Sequence, residues 1–179
     1  MKFTLKELIL TAEFAAIISV LSQFTIPLGL IPLTGQTFAI GLAATFLGKK
    51  LGTTSVLLYL LLGLIGLPVF AGMSGGIGVL FGPTGGYLIG FPFQAWLTGW
   101  FLEKIGTSYS SALFANLLGA IATLIFGMFW LQFSSGLTLA SAFSSGFLPF
   151  VLPGIIKAVG AAYMGVLLKR RLDKFLLAV

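Results

Sequence analysis

Two stretches of this chain, 51–102 and 105–156, contain no charged residue, and only the pair Glu103–Lys104 separates them. Uncharged runs of that length leave nothing to cover a water-facing surface. Soluble domains carry about 25% charged residues, whereas this chain carries 8%, against 58% hydrophobic. The expectation is therefore an all-α integral membrane protein. At about 20 residues per crossing, 179 residues hold six transmembrane helices in a single domain, 1–179, with no room for a second, soluble one. The apolar run Leu8–Phe24 is long for a signal peptide, and no small-x-small site follows it. It reads as a retained first helix.

The expected helices run over Thr4–Phe24, Thr37–Leu47, Leu51–Leu67, Gly85–Glu103, Ser108–Phe133 and from Pro149 to the basic C-terminal residues. Pro27 and Pro32 end the first, because proline lacks a backbone donor and disfavours helix in the residue before it. Thr25–Gln36 and Ser134–Phe147 read as uncharged loops, and Pro149 suits a first helical turn. The basic residues then sort by connection. Lys2, Lys6, Lys49, Lys50, Lys104, Lys169, Arg170, Arg171 and Lys174 fall at the termini and the second and fourth connections, and the other three connections have none. The positive-inside rule places both termini in the cytoplasm. The net charge of +6 is thus a set of anchors for anionic lipid head groups and not a nucleic-acid surface.

The connection after the third helix is unusual. Gly66–Phe91, GLPVFAGMSGGIGVLFGPTGGYLIGF, contains nine glycines and no charge. Irregular backbone near membrane depth is tolerated only where protein buries it or where it lines a cavity, and glycine lets backbone approach a ligand or a helix closely. The segment reads as the wall or lid of a small-molecule pocket.

One basic residue, Lys157, is left over. It lies eight residues into the last helix, roughly 12 Å from its outer end and roughly 18 Å from the terminal basic cluster. A charge at that depth costs about 2.5 kcal/mol or more. Snorkelling to the outer head groups strains the reach of a lysine, so Lys157 is expected to face a cavity. Glu7, Glu13, Glu103 and Asp173 lie toward the other side, and no carboxylate is at hand to pair with it. An outward-facing cation without a counter-ion suits a small anion, a carboxylate most simply, and the positive end of the helix adds to the field. Thr34, Gln36, Thr84 and Tyr87 end the outer loops and fit the same pocket. Phe70 and Phe91 flank the glycine segment, as pocket lining or as core. Asn116 reads equally as a pocket amide or as a bond between helices.

On the first helix Ala12, Ala15, Ala16 and Ser19 form a small-residue face, with Ala12 and Ala16 four apart. Such a face packs another helix, either of this chain or of a partner. Glu13 beside it is paired within the fold or reaches the interface. The absences are as informative. The chain has no Cys and no His, which removes thiolate chemistry and the commonest metal ligand, and no catalytic or metal-binding set stands out. Gly48–Lys49–Lys50 and the segment GPTGG lack the spacing of a phosphate-binding loop, and there is no row of membrane carboxylates for a proton-coupled pump. Energy for uphill transport would come from elsewhere.

Leu57–Pro92 (LLYLLLGLIGLPVFAGMSGGIGVLFGPTGGYLIGFP), Pro32–Gly52 (PLTGQTFAIGLAATFLGKKLG) and the pattern Pro149, Pro153, Gly154, Lys157 resemble the three conserved blocks of the BioY family, across nearly the whole chain. The resemblance implies the six-helix bundle of a substrate-binding subunit (S-component) of energy-coupling factor (ECF) transporters in the bacterial plasma membrane. Its outward pocket would be closed by the helix 1–2 and helix 3–4 loops. It implies biotin as ligand, with no cofactor. It also implies a transmembrane coupling protein and two ATP-binding subunits as partners, and toppling of the loaded subunit as mechanism. Ala12 and Ala16 occupy positions matching the alanine pattern that contacts the coupling protein. The family usually carries an Asp three residues before the lysine, where this chain has Gly154. The ureido contacts would then fall to Gln36, Asn116 or backbone carbonyls. The alternatives are an S-component for another small anionic vitamin, an intramembrane enzyme, for which no nucleophile is present, and a purely structural subunit, which leaves Lys157 unexplained.

Overall fold

The computed structural model describes residues 3–176. Lys2 lies outside the described residues, as do the side chains of Asp173 and Lys174. Helix α1 (Leu5–Ser22) opens on a capping box, in which Thr4 accepts from the Glu7 amide and the Glu7 carboxylate accepts from the Thr4 amide. Such a box satisfies two donors that a helix start leaves open. The loop containing Pro27 and Pro32 folds back as a short antiparallel hairpin, β1 (Thr25–Ile26) with β2 (Leu33–Thr34).

Helix α2 (Gln36–Leu64) unites the two helices expected over 37–67, but Gly48 breaks it with φ 79° and ψ −174°. That conformation is open to glycine and strained for other residues. A Cβ on Gly52 would lie 2.9 Å from the Ala44 backbone. Residues eight apart in a straight helix are about 12 Å apart, so the chain reverses at Gly48 into two antiparallel arms. A 3₁₀ turn (Ala71–Met73) and the short α3 (Gly78–Phe81) follow in the glycine-rich segment, whose last residues already belong to α4 (Gly85–Ile105). Gly106 ends α4, and Ser108 caps α5 (Tyr109–Ser135), which Gly136 ends in the left-handed conformation. The segment read as a loop over 134–147 instead holds a helix, α6 (Leu139–Gly146), because Thr138 caps it by accepting from the Ser141 amide. Helix α7 (Leu148–Leu176) completes the chain.

The bundle thus has six long helical segments, counting the two arms of α2. Three stretches, Gln36–Leu64, Tyr109–Ser135 and Leu139–Leu172, are long and apolar enough to cross a membrane on length and composition alone. Helix α4 packs on α5 and α2, and α7 on α2 and α5. The α4–α5 contact depends on close approach. A Cβ on Gly86 would run into Trp130, and one on Gly127 into the Tyr87 ring. Small residues at such seams let helices associate where no hydrophobic effect drives them together. The outer faces expose Leu57, Leu61, Phe93, Trp96, Phe129 and Ile156, an apolar surface suited to lipid.

The charges collect at one end. Lys50 pairs with Glu7 and Lys49 with Glu103. Lys169 donates to Thr107, and Arg170 stacks on Tyr109. The hairpin, the 3₁₀ turn and α6 lie in the uncharged connections of the opposite end.

Candidate functional site

A cavity of about 290 Å³ opens among the uncharged connections. It is at the small end of the range for ligand sites. The hairpin contributes Ile31 to Thr34, and the start of α2 contributes Gln36 and Thr37. The 3₁₀ turn region adds Phe70, Ala71 and Ser74, and the start of α4 adds Thr84, Tyr87, Leu88 and Phe91. Thr123 and Leu124 of α5 and Phe150, Gly154 and Lys157 of α7 close it. The glycine-rich segment is therefore wall on one side of the site and, through Gly85–Phe91, part of a helix on the other.

Lys157 is the cation of the cavity, and none of its lining residues is Asp or Glu. Its Nζ donates to the Thr34 carbonyl at 2.6 Å and to Thr37 Oγ1 at 3.4 Å. It reaches across the bundle to the hairpin and the start of α2, where its polar contacts are protein groups. An ammonium has three donors, and one is left for a guest. Thr34 is held as well as holding: its hydroxyl donates to Gln36 Oε1 at 2.6 Å, and Gln36 Nε2 donates to the Tyr59 hydroxyl at 2.6 Å. Tyr59 is fully buried and meets Phe70 edge to face at 5.5 Å. The polar and aromatic walls are thus one connected structure.

Below them Gln94, 1% exposed, donates to the Thr37 carbonyl and accepts from Thr123 Oγ1 at 3.0 Å. It ties α2, α4 and α5 together beneath the cavity. Tyr87 presents its ring to the cavity while its hydroxyl donates to the Gly146 carbonyl, so the phenol is occupied. Thr84 makes no side-chain hydrogen bond among the described residues and keeps its hydroxyl free for a guest. A Cβ on Gly154 would have nothing within 4 Å, so the wall is recessed there.

Thr34, Gln36, Phe70, Thr84, Tyr87, Phe91, Gly154 and Lys157, far apart in sequence, come together here. Asn116 does not. Its Nδ2 donates to Thr45 Oγ1 and to the Ala112 carbonyl, both at 2.8 Å, and it lies against Gly41 away from the cavity. It is a bond between α5 and α2, and the pocket reading of Asn116 is corrected. Tyr59, Thr37, Gln94 and Phe150 escaped the sequence reading. Gln94 carried a signal, as an isolated amide in the apolar run FPFQAWLTG; Phe150 carried none among so many phenylalanines. On α1, Ala12, Glu13 and Ala16 are exposed, whereas Ala15 is buried. Ala12 and Ala16 therefore face away from the core formed by the described residues, and Glu13 has no ion pair or hydrogen bond among the described residues.

The fold is thus a six-helix bundle of membrane-protein character, with ion pairs at one end and, at the other, a cavity whose lining holds a lysine and no carboxylate. Comparison with known proteins is more specific. The BioY family model matches residues 1–174, and the chain belongs to the BioY family. It is 45% identical over 169 residues to the biotin transporter BioY2 of Lactococcus lactis subsp. cremoris (strain MG1363), covering 94% of this chain and 93% of that one. It is 43% identical over 166 residues to the biotin transporter BioY of Thermotoga maritima (strain ATCC 43589 / DSM 3109 / JCM 10099 / NBRC 100826 / MSB8), covering 93% and 97%. The fold superposes on a 2.1 Å crystal structure of the S-component for biotin from an ECF-type ABC transporter, with a TM-score of 0.85 and 36% identity over 97% of this chain and 95% of that one.

Proposed function

We propose that this chain captures biotin in the cavity and delivers it across the bacterial plasma membrane as the S-component of an ECF transporter. The observation that carries the reading is Lys157. It is the cation of a small, otherwise apolar and hydroxyl-lined cavity, it has a donor to spare, and no carboxylate neutralises it. Biotin is a small anion with an apolar tail and a compact polar head. Lys157 takes the valerate carboxylate, and Phe70, Phe91, Phe150 and the Tyr87 ring enclose the apolar body. Gly154 offers no carboxylate to the ureido N–H groups. Thr84 and the free lone pair of Gln36 Oε1 supply acceptors in its place.

The chain acts as a binding subunit and not as an enzyme, and no cofactor takes part. It lacks a phosphate-binding loop, so ATP hydrolysis falls to partners, a transmembrane coupling protein and two ATP-binding subunits. The exposed Ala12 and Ala16 of α1 meet the coupling protein. Both termini and the charged end face the cytoplasm by the positive-inside rule, which turns the cavity outward, and toppling of the loaded subunit carries it inward.

The test is calorimetric titration of ligand-stripped protein with biotin. Tight one-to-one binding without turnover is expected. A folded sample that ignores biotin overturns the reading. A panel of other anionic vitamins would then identify the guest, the reading that the missing carboxylate at Gly154 favours.

A further inference from the structure

The last residue of α1, Ser22, and the C-cap residue Gln23 grip the turn that carries Phe70. The two hydrogens of Gln23 Nε2 are shared among the Ser22 hydroxyl at 2.7 Å, the Phe70 carbonyl at 3.1 Å and the Ser19 and Val69 carbonyls at 3.2 Å, and Gln23 Oε1 accepts from the Met73 amide at 2.9 Å. Beside it the Ser22 hydroxyl, with one hydrogen, reaches both the Ser19 and the Val69 carbonyls. One carboxamide therefore serves both ends of the turn Val69–Met73.

The Phe70 ring packs over Gly63 and against Tyr59, and the Gly76 amide donates to the Gly63 carbonyl at 2.7 Å; Ser22 and Gln23 hold the backbone of the turn between them. Gly72 and Met73 are both left-handed, at φ 68° and 57°. The second is not glycine, and its side chain is 69% exposed, so packing does not hold it there. Within the turn, the bond from the Phe70 amide to the Ser74 carbonyl closes the loop on itself but does not attach it to the bundle. Phe70, by contrast, is 1% exposed and forms cavity wall together with Ala71 and Ser74. The residues just after α1 also anchor the opposite lip of the cavity, because the Gly35 amide, next to β2, donates to the Phe24 carbonyl, next to β1.

The geometry points to Gln23 as a positioning residue for ligand retention. It latches the Val69–Met73 turn to α1 and thereby holds Phe70 in the wall, so breaking the latch lets this side of the cavity open and the ligand leave. The inference rests on the biotin-capture reading of the cavity, but the latch is open to test without ligand. It also links the pocket to α1, whose outer face carries Ala12 and Ala16.

The variants are Gln23→Met, which keeps the bulk and removes every hydrogen bond, and Gln23→Glu, which keeps an acceptor for the Met73 amide and loses both donors. Each is compared with wild type as the full chain in lipid nanodiscs, by residue-resolved amide hydrogen exchange without ligand and by release of labelled biotin into excess unlabelled biotin. In Gln23→Met, amide exchange at Met73 should speed up and biotin release should accelerate about 30-fold, the scale of two net hydrogen bonds, while association stays within about twofold. In Gln23→Glu the Met73 amide should remain protected while release is still faster, and this variant carries the test if Gln23→Met fails to fold. Wild-type release and exchange in either variant would overturn the proposal, as would faster exchange with unchanged release. If wild-type protein does not bind biotin, the functional reading fails separately, and equal Met73 exchange in wild type and Gln23→Met would then overturn the latch.

Discussion

Replacing Lys157 by Met separates two roles that its geometry combines. The ammonium pins the hairpin to α7 through the Thr34 carbonyl at 2.6 Å, and it keeps one donor for a guest carboxylate. Met retains the bulk and apolar stem and removes the charge. A hydrogen bond to a charged group contributes about 1.5–3 kcal/mol, so losing the carboxylate contact should weaken biotin binding roughly 10- to 150-fold. Loss of the Thr34 contact loosens the hairpin and should weaken any guest, charged or not. An uncharged biotin amide, titrated by calorimetry into both proteins, keeps a carbonyl acceptor but carries no charge, so it reports the hairpin effect and a weaker neutral contact, and its affinity should fall less than about tenfold. The ratio of the two losses is then the contribution of the carboxylate charge. Equal losses for biotin and its amide would refute the reasoning and leave Lys157 as a tie between α7 and the hairpin.

The recess at Gly154 has open space around a Cβ, so Gly154→Leu should fold with an unchanged thermal midpoint and lose biotin binding, because its side chain fills the cavity. Asn116→Ala should behave in the opposite way. It removes buried bonds to Thr45 and Ala112, and should cost about 1–3 kcal/mol of stability in thermal unfolding with biotin affinity changed less than about threefold. Ala16→Trp places bulk on the exposed face of α1, so the isolated subunit should bind biotin as wild type while ATP-driven uptake by the assembled transporter is lost. Normal uptake by that variant would remove this face from the partner interface.

The membrane class, the helix count and the clustering of charge at one end were all legible in the residues, because each depends on composition and spacing along the chain. Lys157 stood out for the same reason: a charge inside an apolar run is costly wherever the run folds. The glycine-rich segment announced itself by composition, although its division into a 3₁₀ turn, α3 and the first turns of α4 did not follow from it. The helix expected at Thr37–Leu47 and its neighbour proved to be two arms of α2 hinged at Gly48 alone, a tighter reversal than glycine and two lysines suggest.

The identity of partners is what only the tertiary structure decided. Asn116 and Gln94 are both lone amides in apolar helices, equivalent by sequence. One bonds Thr45, 71 residues away, and joins helices apart from the cavity, whereas the other bonds the Thr37 carbonyl, 57 residues away, and supports the cavity floor. Gln36 finds Tyr59, and Lys157 finds the Thr34 carbonyl 123 residues away. Residue type states which donors, acceptors and charges a side chain brings into the apolar bundle, where an unmet one is costly. Which group satisfies it is set by the three-dimensional packing of helices, and sequence spacing carries no record of that choice.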